Sequence, residues 1–263
     1  MYIDAHCHLE RQTFGDELDE VIARAMEAGL THMIAVGASG VTAGAREAVA
    51  LAERLGAVYA TVGLHPHEAA KVGDEDVATV ASLLDHPKVV AVGEIGLDFH
   101  YDFSPPDVQR GVFRRLLRLA RERNVPVMLH VREAHEETLE ILDDVGLPNC
   151  GGVVHCFTAG PDEANAYLER GMFLSIPGVV TFKKADALRE VVREMPLDRL
   201  LIESDCPYLA PVPFRGQRNE PAHVIHTAAA IGDIKQLSGE DIGRIASRNT
   251  LRLFNIESTV APV

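Results

Sequence analysis

The sequence has no tryptophan, few other aromatic residues and only four cysteines among its 263 residues. The cysteines form no CxxC pair, which excludes a dense disulfide framework and is typical of free thiols in a reducing compartment. We therefore expect a cytoplasmic protein. No stretch approaches the ~20 apolar residues of a membrane span, and no basic segment followed by an apolar run opens the chain, so we expect no membrane partner. The cysteines are Cys7, Cys150, Cys156 and Cys206.

Basic residues are also scarce, with 25 Lys and Arg against 39 Asp and Glu, which gives a formal net charge of -14. This balance excludes a broad basic surface of the kind that binds nucleic acid regardless of sequence. A phosphate-bearing substrate would need a local positive centre, which bound metal ions or a few arginines can supply.

Short β-branched segments alternate with amphipathic segments about eight times, which is the pattern of a parallel sheet with crossover helices. The chain has the length of one α/β barrel, and no linker divides it. We therefore predict an α/β fold, a (β/α)8 TIM-type barrel with an extra C-terminal helix, as a single domain over residues 1–263. An open doubly wound sheet is the alternative.

The predicted strands cover residues 2–6, 32–36, 58–62, 89–92, 126–130, 152–155, 172–176 and 200–203. The predicted helices cover residues 17–28, 43–55, 78–84, 108–123, 136–145, 161–170, 185–193, 221–237 and 240–254.

The first predicted strand ends in two imidazoles, His6 and His8. Because side chains alternate along a strand, this spacing puts both rings on one face. Such a pair can bind one divalent metal ion but cannot fill its coordination shell. Cys7 points to the opposite face, so we expect a packed thiol there and no third ligand.

Further histidines and carboxylates follow other predicted strands, at the end of the barrel where functional residues collect. A lone strand histidine is more often a packed core residue than a ligand, but recurrence at one end of separate strands favours a metal centre. The set exceeds what one tetrahedral ion needs, and a bridging carboxylate is the usual way to hold two ions. The predicted metal ligands are His6, His8, Glu94 as the bridge, His130, His155 and Asp205.

The carboxylates receive separate roles. We predict that Asp205 and Glu94 are catalytic, with Asp205 both binding metal and accepting the proton of a metal-activated water. Glu203 lies two residues before Asp205 and is predicted to orient a ligand histidine, with a buried ion-paired acid as the alternative. Asp98 is predicted to cap the following turn.

Substrate contacts are predicted for three arginines, because a guanidinium group matches phosphate oxygens. A substrate contact is also predicted for His65, which follows the third predicted strand. Arg132 lies two residues beyond His130, and Arg215 and Arg218 lie in the long loop after the eighth strand. A structural loop role for His65 and an ordinary surface role for the arginines are the alternatives. His67 has the same two interpretations as His65.

Seven motifs spread over nearly the whole chain resemble those of the TatD family of metal-dependent deoxyribonucleases, within the amidohydrolase-like barrels. The motifs are 4–8 (Asp-Ala-His-Cys-His), 63–67 (Gly-Leu-His-Pro-His), 93–98 (Gly-Glu-Ile-Gly-Leu-Asp), 103–106 (Phe-Ser-Pro-Pro), 155–157 (His-Cys-Phe), 203–205 (Glu-Ser-Asp) and 218–221 (Arg-Asn-Glu-Pro). Ser204 stands where the family usually has Thr, and His100 adds a titratable group near the mouth of the barrel.

The resemblance implies a divalent metal centre at the six predicted ligands and hydrolysis of DNA phosphodiester bonds, often from a 3′ end. We accordingly predict a metal-dependent hydrolase, a 3′–5′ exonuclease that uses two divalent ions (Mg, Mn, Zn or similar) and a metal-activated water. With an acidic surface and no aromatic stripe, we expect a short contact with a DNA strand end and no stable protein partner.

Two other functions are compatible with such a barrel. Related barrels cleave lactones, cyclic amides and phosphotriesters, and many bridge their metals with a modified lysine on strand four. Here strand four offers Glu94 and no lysine at its end, which favours the nuclease. A non-catalytic barrel that binds metal or a partner is the third possibility, and the complete ligand set is evidence against it.

Overall fold

The computed structural model describes residues 1–101 and 103–257, and in it eight parallel strands form one sheet in sequence order. A doubly wound sheet would reverse its strand order, so the barrel prediction is confirmed and the alternative is wrong. Asp102 and residues 258–263 of the predicted domain lie outside the described residues. The strands are β1 Tyr2–Cys7, β2 Leu30–Gly37, β3 Val58–Val62, β4 Val89–Asp98, β5 Val127–Arg132, β6 Gly152–Val154, β7 Phe173–Ile176 and β8 Leu200–Ile202.

Helices follow every strand, and the last of them is the predicted extra C-terminal helix. None of the described helices is both long and apolar enough to cross a membrane. The sequence did not predict α1 or the short 3-10 helices, such as Pro66–Lys71 after β3. The α-helices are α1 Arg11–Phe14, α2 Leu18–Glu27, α3 Ala43–Arg54, α4 Asp74–Leu83, α5 Pro106–Arg123, α6 His135–Val145, α7 Pro161–Glu169, α8 Asp186–Glu194, α9 Val224–Lys235 and α10 Gly239–Leu253.

The segment after β8 meets β1 through backbone hydrogen bonds at the carboxyl end of the barrel. The Asp205 N–H donates to the His6 carbonyl at 3.0 Å, and the His8 N–H donates to the Cys206 carbonyl at 2.9 Å. These bonds bring the first and last predicted ligands next to each other, although some 200 residues separate them in sequence.

An apolar cluster fills the barrel below this end. It draws side chains from strands all around the sheet, including Ala5 of β1, Met128 of β5 and Leu201 of β8, so it lies inside the barrel. Leu253 and Phe254, at the end of α10, belong to the same cluster. Since Phe173, the first residue of β7, lies in it too, α10 closes the amino end of the barrel.

The fourth strand carries an irregularity that positions its carboxylate. Gly93 pairs with Met128 and Ile95 pairs with Leu129, which leaves Glu94 as an extra residue opposite no partner. Such a bulge re-aims a side chain. The strand therefore continues six residues past its predicted end, Val92, and turns the Glu94 carboxylate into the barrel.

Two glycines allow the backbones to approach around this bulge. A Cβ at Gly63 would lie 2.5 Å from the Gly93 carbonyl carbon. A Cβ at Gly96 would lie 2.1 Å from the His130 carbonyl oxygen, and the φ of Gly96, 143°, is one that other residues rarely adopt. The glycines of the 63–67 and 93–98 motifs are therefore steric requirements of the strand packing beside Glu94.

Candidate metal centre

The carboxylate of Glu94 lies at the centre of a cluster of imidazoles and is almost fully buried. Its two oxygens face different partners. Oε2 lies 3.7 Å from His6 Nε2 and 3.9 Å from His8 Nε2. Oε1 lies 2.6 Å from both His130 Nδ1 and His155 Nε2. The structure therefore brings together all six predicted ligands in two sets that share Glu94.

The first set combines Glu94 Oε2 with His6, His8 and Asp205. Asp205 Oδ1 lies 3.6 Å from each of the two Nε2 atoms, and those atoms are 3.2 Å apart. Oε2 is buried, yet no group in the described chain donates a hydrogen bond to it. Atoms that each lie ~2.1 Å from one ion are themselves 3–4 Å apart, so this set fits a shared divalent cation.

The second set consists of Glu94 Oε1, His130 Nδ1 and His155 Nε2, and its two nitrogens are 3.4 Å apart. Each group again offers one imidazole nitrogen or carboxylate oxygen, which are donors that divalent transition metals accept. The residues present thus fit metal binding on both sides of Glu94.

A different carboxylate lies beside the far nitrogen of each histidine in the second set. Glu203 Oε1 lies 3.5 Å from His155 Nδ1 and accepts the Cys156 N–H at 2.7 Å, which holds it in place. Asp98 Oδ2 lies 3.0 Å from His130 Nε2. A hydrogen bond such as that of Asp98 fixes the tautomer and ring orientation of a metal-binding histidine, whereas Glu203 faces His155 Nδ1 as a charge, with no hydrogen bond to this nitrogen from the described residues.

Burial and neighbouring charges set the protonation of the first set. Burial, together with the neighbouring His155, lowers the pKa of His6 well below its usual value, so the ring is neutral and has a free lone pair. Burial opposes ionisation of Glu94, but His155 and His65 hold the pKa of its carboxyl well below the usual range. A neutral imidazole thus faces an ionised carboxylate, as metal coordination requires.

The opposite shift occurs at His155. Burial alone would lower the pKa of His155, but Glu94 and Glu203 hold it well above the ordinary value. The two buried carboxylates, Glu94 and Glu203, therefore stabilise a positive charge at this position. A divalent cation supplies such a charge.

Asp98 has a second role that the sequence did not reveal. Its Oδ1 accepts the backbone N–H groups of His100 and Tyr101 at 3.0 Å, which is the predicted turn cap. Its Oδ2 also contacts His67 Nε2 at 2.8 Å and His130 Nε2. Burial alone would raise the pKa of the Asp98 carboxyl, but these histidines hold that pKa below its usual value. The bulge at Glu94 is the reason that Asp98 faces inward.

Asp4 was missed as well. It is fully buried, and its Oδ1 accepts the N–H of Ser204 at 2.9 Å and that of His6 at 3.3 Å. Burial raises the pKa of Asp4 to about 7. Asp4 therefore ties β1 to the segment that carries Asp205. An acidic residue inside an apolar strand, two residues before a ligand histidine, was the available signal.

The predicted substrate residues fall into two groups. His65 Nε2 lies 3.5 Å from Glu94 Oε1, and burial lowers the pKa of His65 to about 4. Arg132 lies at the rim with its guanidinium 4.8 Å from the centre of the Tyr101 ring. His65 therefore lies within the cluster, and Arg132 lies at its exposed rim.

Arg215 and Arg218 make their described contacts elsewhere. The Arg215 guanidinium lies 4.3 Å from the centre of the Phe182 ring, and that of Arg218 pairs with Glu17. Substrate binding by these two arginines stays a prediction.

The cysteine thiols are consistent with packing roles. Cys7 is buried and its Sγ donates to the Ile34 carbonyl at 3.3 Å, on the outer side of β1. Burial raises the pKa of the Cys7 and Cys156 thiols well above the usual value, which disfavours the thiolate.

Comparisons with known proteins show the family to which the chain belongs. Residues 3–255 match the family model described as TatD related DNase. The chain is 42% identical over 256 residues to the uncharacterized metal-dependent hydrolase YabD of Bacillus subtilis, covering 97% of this chain and 100% of that protein. It is 36% identical over 259 residues to the 3′-5′ ssDNA/RNA exonuclease TatD of Erwinia billingiae, covering 96% and 98% of the two chains.

Among solved structures, the TatD homologue YJJV of Escherichia coli K12 superposes with a TM-score of 0.91 at 31% identity, covering 97% of this chain and 98% of that one.

Proposed function

The chain belongs to the TatD-related DNase family and is a metal-dependent hydrolase, and from that premise we propose that it is a 3′–5′ exonuclease acting on a DNA strand end. The observation that carries the proposal is the position of Glu94, whose two oxygens face two separate sets of metal-binding groups. Its relative in Erwinia billingiae bears the name of an exonuclease with this polarity.

We assign two divalent ions to the sets that share Glu94. The fit rests on the buried Glu94 Oε2, which receives no hydrogen bond from the described residues, and on the imidazole and carboxylate donors around it. When bound, such ions lower the pKa of a water and polarise a phosphoryl oxygen. The proposed ligands are His6, His8, Glu94, His130, His155 and Asp205.

Asp205 is the proposed general base. Its side chain is 11% exposed, against 2% for Glu94 and none for Glu203, so it is the carboxylate of the cluster that incoming water and substrate can reach. Asp205 Oδ1 lies 3.6 Å from both His6 and His8, and it can accept the proton of the attacking water there.

The remaining residues position these groups. Glu203 and Asp98 hold the rings of His155 and His130 through their far nitrogens. His65, neutral at pH 7 and 3.5 Å from Glu94 Oε1, is a proposed contact for the substrate phosphate, together with Arg132 at the rim. A pre-assembled set of this kind needs no broad basic surface, which agrees with the net charge of -14.

The test is a cleavage assay on a 5′-labelled single-stranded DNA oligonucleotide with added Mg²⁺ or Mn²⁺. We expect a ladder that shortens from the 3′ end, and a block when the terminal linkage is a phosphorothioate. Glu94→Gln and His6→Ala should lose the ladder, whereas Glu53→Gln, which alters an exposed acid on α3, should retain it.

The same preparation distinguishes the other outcomes. A matched RNA oligonucleotide measures sugar preference, and a panel of lactones, cyclic amides and phosphotriesters tests the other hydrolases of this barrel type. Absence of metal-dependent cleavage of both nucleic acids by the parent protein would overturn the exonuclease assignment.

A further inference from the structure

Three exposed aromatic side chains lie beside the proposed metal centre. Tyr101 is 41% exposed, Phe103 is 63% exposed and Tyr208 is 61% exposed. Most aromatic residues of this aromatic-poor chain are more buried, so exposure of three large rings around one site calls for a physical reason. The inference below rests on the proposed nuclease function and concerns how its substrate is held.

The first aromatic surface consists of Tyr101 and Phe103, on the segment between β4 and α5. Their rings stack with centroids 5.4 Å apart and planes inclined by 22°. The His67 ring meets Phe103 edge-on at 4.8 Å, and His67 in turn contacts Asp98, the partner of His130. The surface is therefore connected to the second metal-binding set by direct contacts.

Buried polar residues hold this surface from below. The Gln109 side-chain amide donates to the carbonyls of Asp98 and Ser104 at 2.9 and 2.8 Å, and the Ser104 hydroxyl donates to the His67 carbonyl at 2.8 Å. Asp98 accepts the backbone N–H of Tyr101. Because all three are buried, the exposed rings are fixed on an ordered base and are pre-organised for contact.

The second surface is the Tyr208 ring, on the segment after β8. It meets the His8 ring edge-on, with centroids 6.0 Å apart. The Tyr208 N–H donates to the Asp205 carbonyl at 2.9 Å, and its carbonyl accepts from the Asn219 side chain at 2.7 Å. This ring therefore adjoins the first metal-binding set, as the pair Tyr101 and Phe103 adjoins the second.

We propose that these are two stacking surfaces for unpaired nucleobases, one for each nucleoside joined by the scissile phosphodiester. A phosphodiester bound at the proposed metal centre carries a nucleoside on each side. The two aromatic surfaces adjoin the two ligand sets, which lie on either side of Glu94. Every base offers a face to an aromatic ring, and such stacking does not depend on sequence. Stacking also supplies attraction that an acidic surface cannot obtain from the phosphate backbone.

The consequence is selection for a single-stranded end. Bases inside a duplex are stacked on their neighbours, and unstacking them costs a few kcal/mol per step. Two surfaces that each accept one base therefore favour a frayed or overhanging terminus. The short contact with a strand end that the sequence predicts is compatible with this arrangement, because residues 101, 103 and 208 form no stripe along the chain and come together only in the fold.

The experiment uses matched substitutions of the holoenzyme. Phe103→Ala and Tyr208→Ala remove a ring, and Phe103→Tyr and Tyr208→Phe retain one. Each is assayed on a single-stranded oligonucleotide and on versions with a tetrahydrofuran abasic unit at the last or the next-to-last position. Metal content and circular dichroism, measured on every variant, show whether the centre and the fold are intact.

We expect each alanine variant to lose about 5- to 150-fold in kcat/KM, the effect of one stacked base, and each aromatic variant to stay within about threefold of the parent. An abasic unit should slow the parent by a similar factor and should have little further effect on the alanine variant whose ring served that position. Fluorescence of 2-aminopurine at the same position, in an oligonucleotide whose terminal linkage is a phosphorothioate, should be quenched by the parent and less by that variant.

The assays distinguish failure of the stacking inference from failure of the proposed nuclease function. If the parent degrades DNA and the alanine variants retain its rate and its response to abasic units, the stacking inference is overturned and the nuclease stands. If the parent degrades no nucleic acid, both proposals are overturned.

Discussion

The two ends of the barrel differ in the kind of side chain they bury. At the carboxyl end, buried histidines and carboxylates contact one another, and several of their polar atoms, including Glu94 Oε2 and Glu203 Oε2, receive no hydrogen bond from the described residues. At the amino end, apolar side chains of the strands pack against Leu253 and Phe254. The boundary lies where His6 Nδ1 meets the Met128 sulfur at 3.0 Å.

The comparison indicates a division between function and stability. Buried charged groups stabilise a fold only when they are paired, and here the proposed cations would pair them. The apolar interior supplies favourable burial free energy and needs no ligand. Substitutions at the carboxyl end should therefore change activity with the fold retained, and substitutions at the amino end should change stability with the active site retained.

The largest expected effect is that of Glu94→Gln. The substitution removes the charge shared by both ligand sets, and the loss of several kcal/mol of transition-state stabilisation corresponds to at least about a thousandfold fall in kcat. Metal analysis by mass spectrometry should show fewer than two ions per chain, and circular dichroism should stay unchanged. Parental activity in this variant would refute the bridging role.

At the other end, Leu253→Ala should lower the free energy of unfolding by about 2–5 kcal/mol, because it leaves a cavity where α10 closes the barrel. Urea unfolding followed by circular dichroism measures this loss. At temperatures where the variant is folded, its kcat and metal content should match those of the parent. A large fall in kcat without loss of stability would contradict the division between the two ends.

A smaller effect is expected for Glu203→Gln, which keeps the shape of the side chain and removes the charge beside His155. Loss of such an outer contact typically costs 10- to 100-fold in metal affinity or activity. We expect a higher metal concentration to restore part of the rate, as measured by titration with Mn²⁺. A rate that no metal concentration improves would instead indicate that Glu203 takes part directly in the reaction.

The smallest effects are expected at the arginines of the rim and the β8–α9 loop. Arg132→Gln should raise KM for the oligonucleotide by about two- to tenfold and weaken its salt dependence, since a phosphate contact is lost. Arg218→Gln should raise KM less, by about twofold at most, because binding of substrate by this guanidinium requires it to leave Glu17. Equal effects of the two substitutions would show that the loop after β8 rearranges to bind substrate.

Several features of the site followed from residue types and spacing alone. His6 in β1 and His8 just after it do face the same side, and recurrence of ligand types after successive strands predicted a cluster that the structure does bring together. The barrel followed from eight alternations between segments with the hydrophobic period of a strand and segments with that of a helix. Each period indicates which face of the element is buried. These signals are local, so a single chain displays them.

Other features needed the three-dimensional structure. The sequence placed the end of β4 at Val92, whereas Gly93 and Gly96 allow close strand packing around a bulge and the strand continues to Asp98. The inward turn of Asp98 depends on that bulge. The link between Asp4 and Ser204 joins residues 200 positions apart, and no local pattern encodes it.

The sequence by itself determined the architecture and the residue types of the predicted metal ligands, because hydrophobic period and residue type are properties of short segments. Only the tertiary structure decided that Glu94 presents one oxygen to each ligand set and that Arg218 pairs with Glu17. It also decided that aromatic rings from separate segments lie beside the same site. Closing the barrel and shifting one strand register by a residue fix these relations, and both depend on contacts between distant parts of the chain.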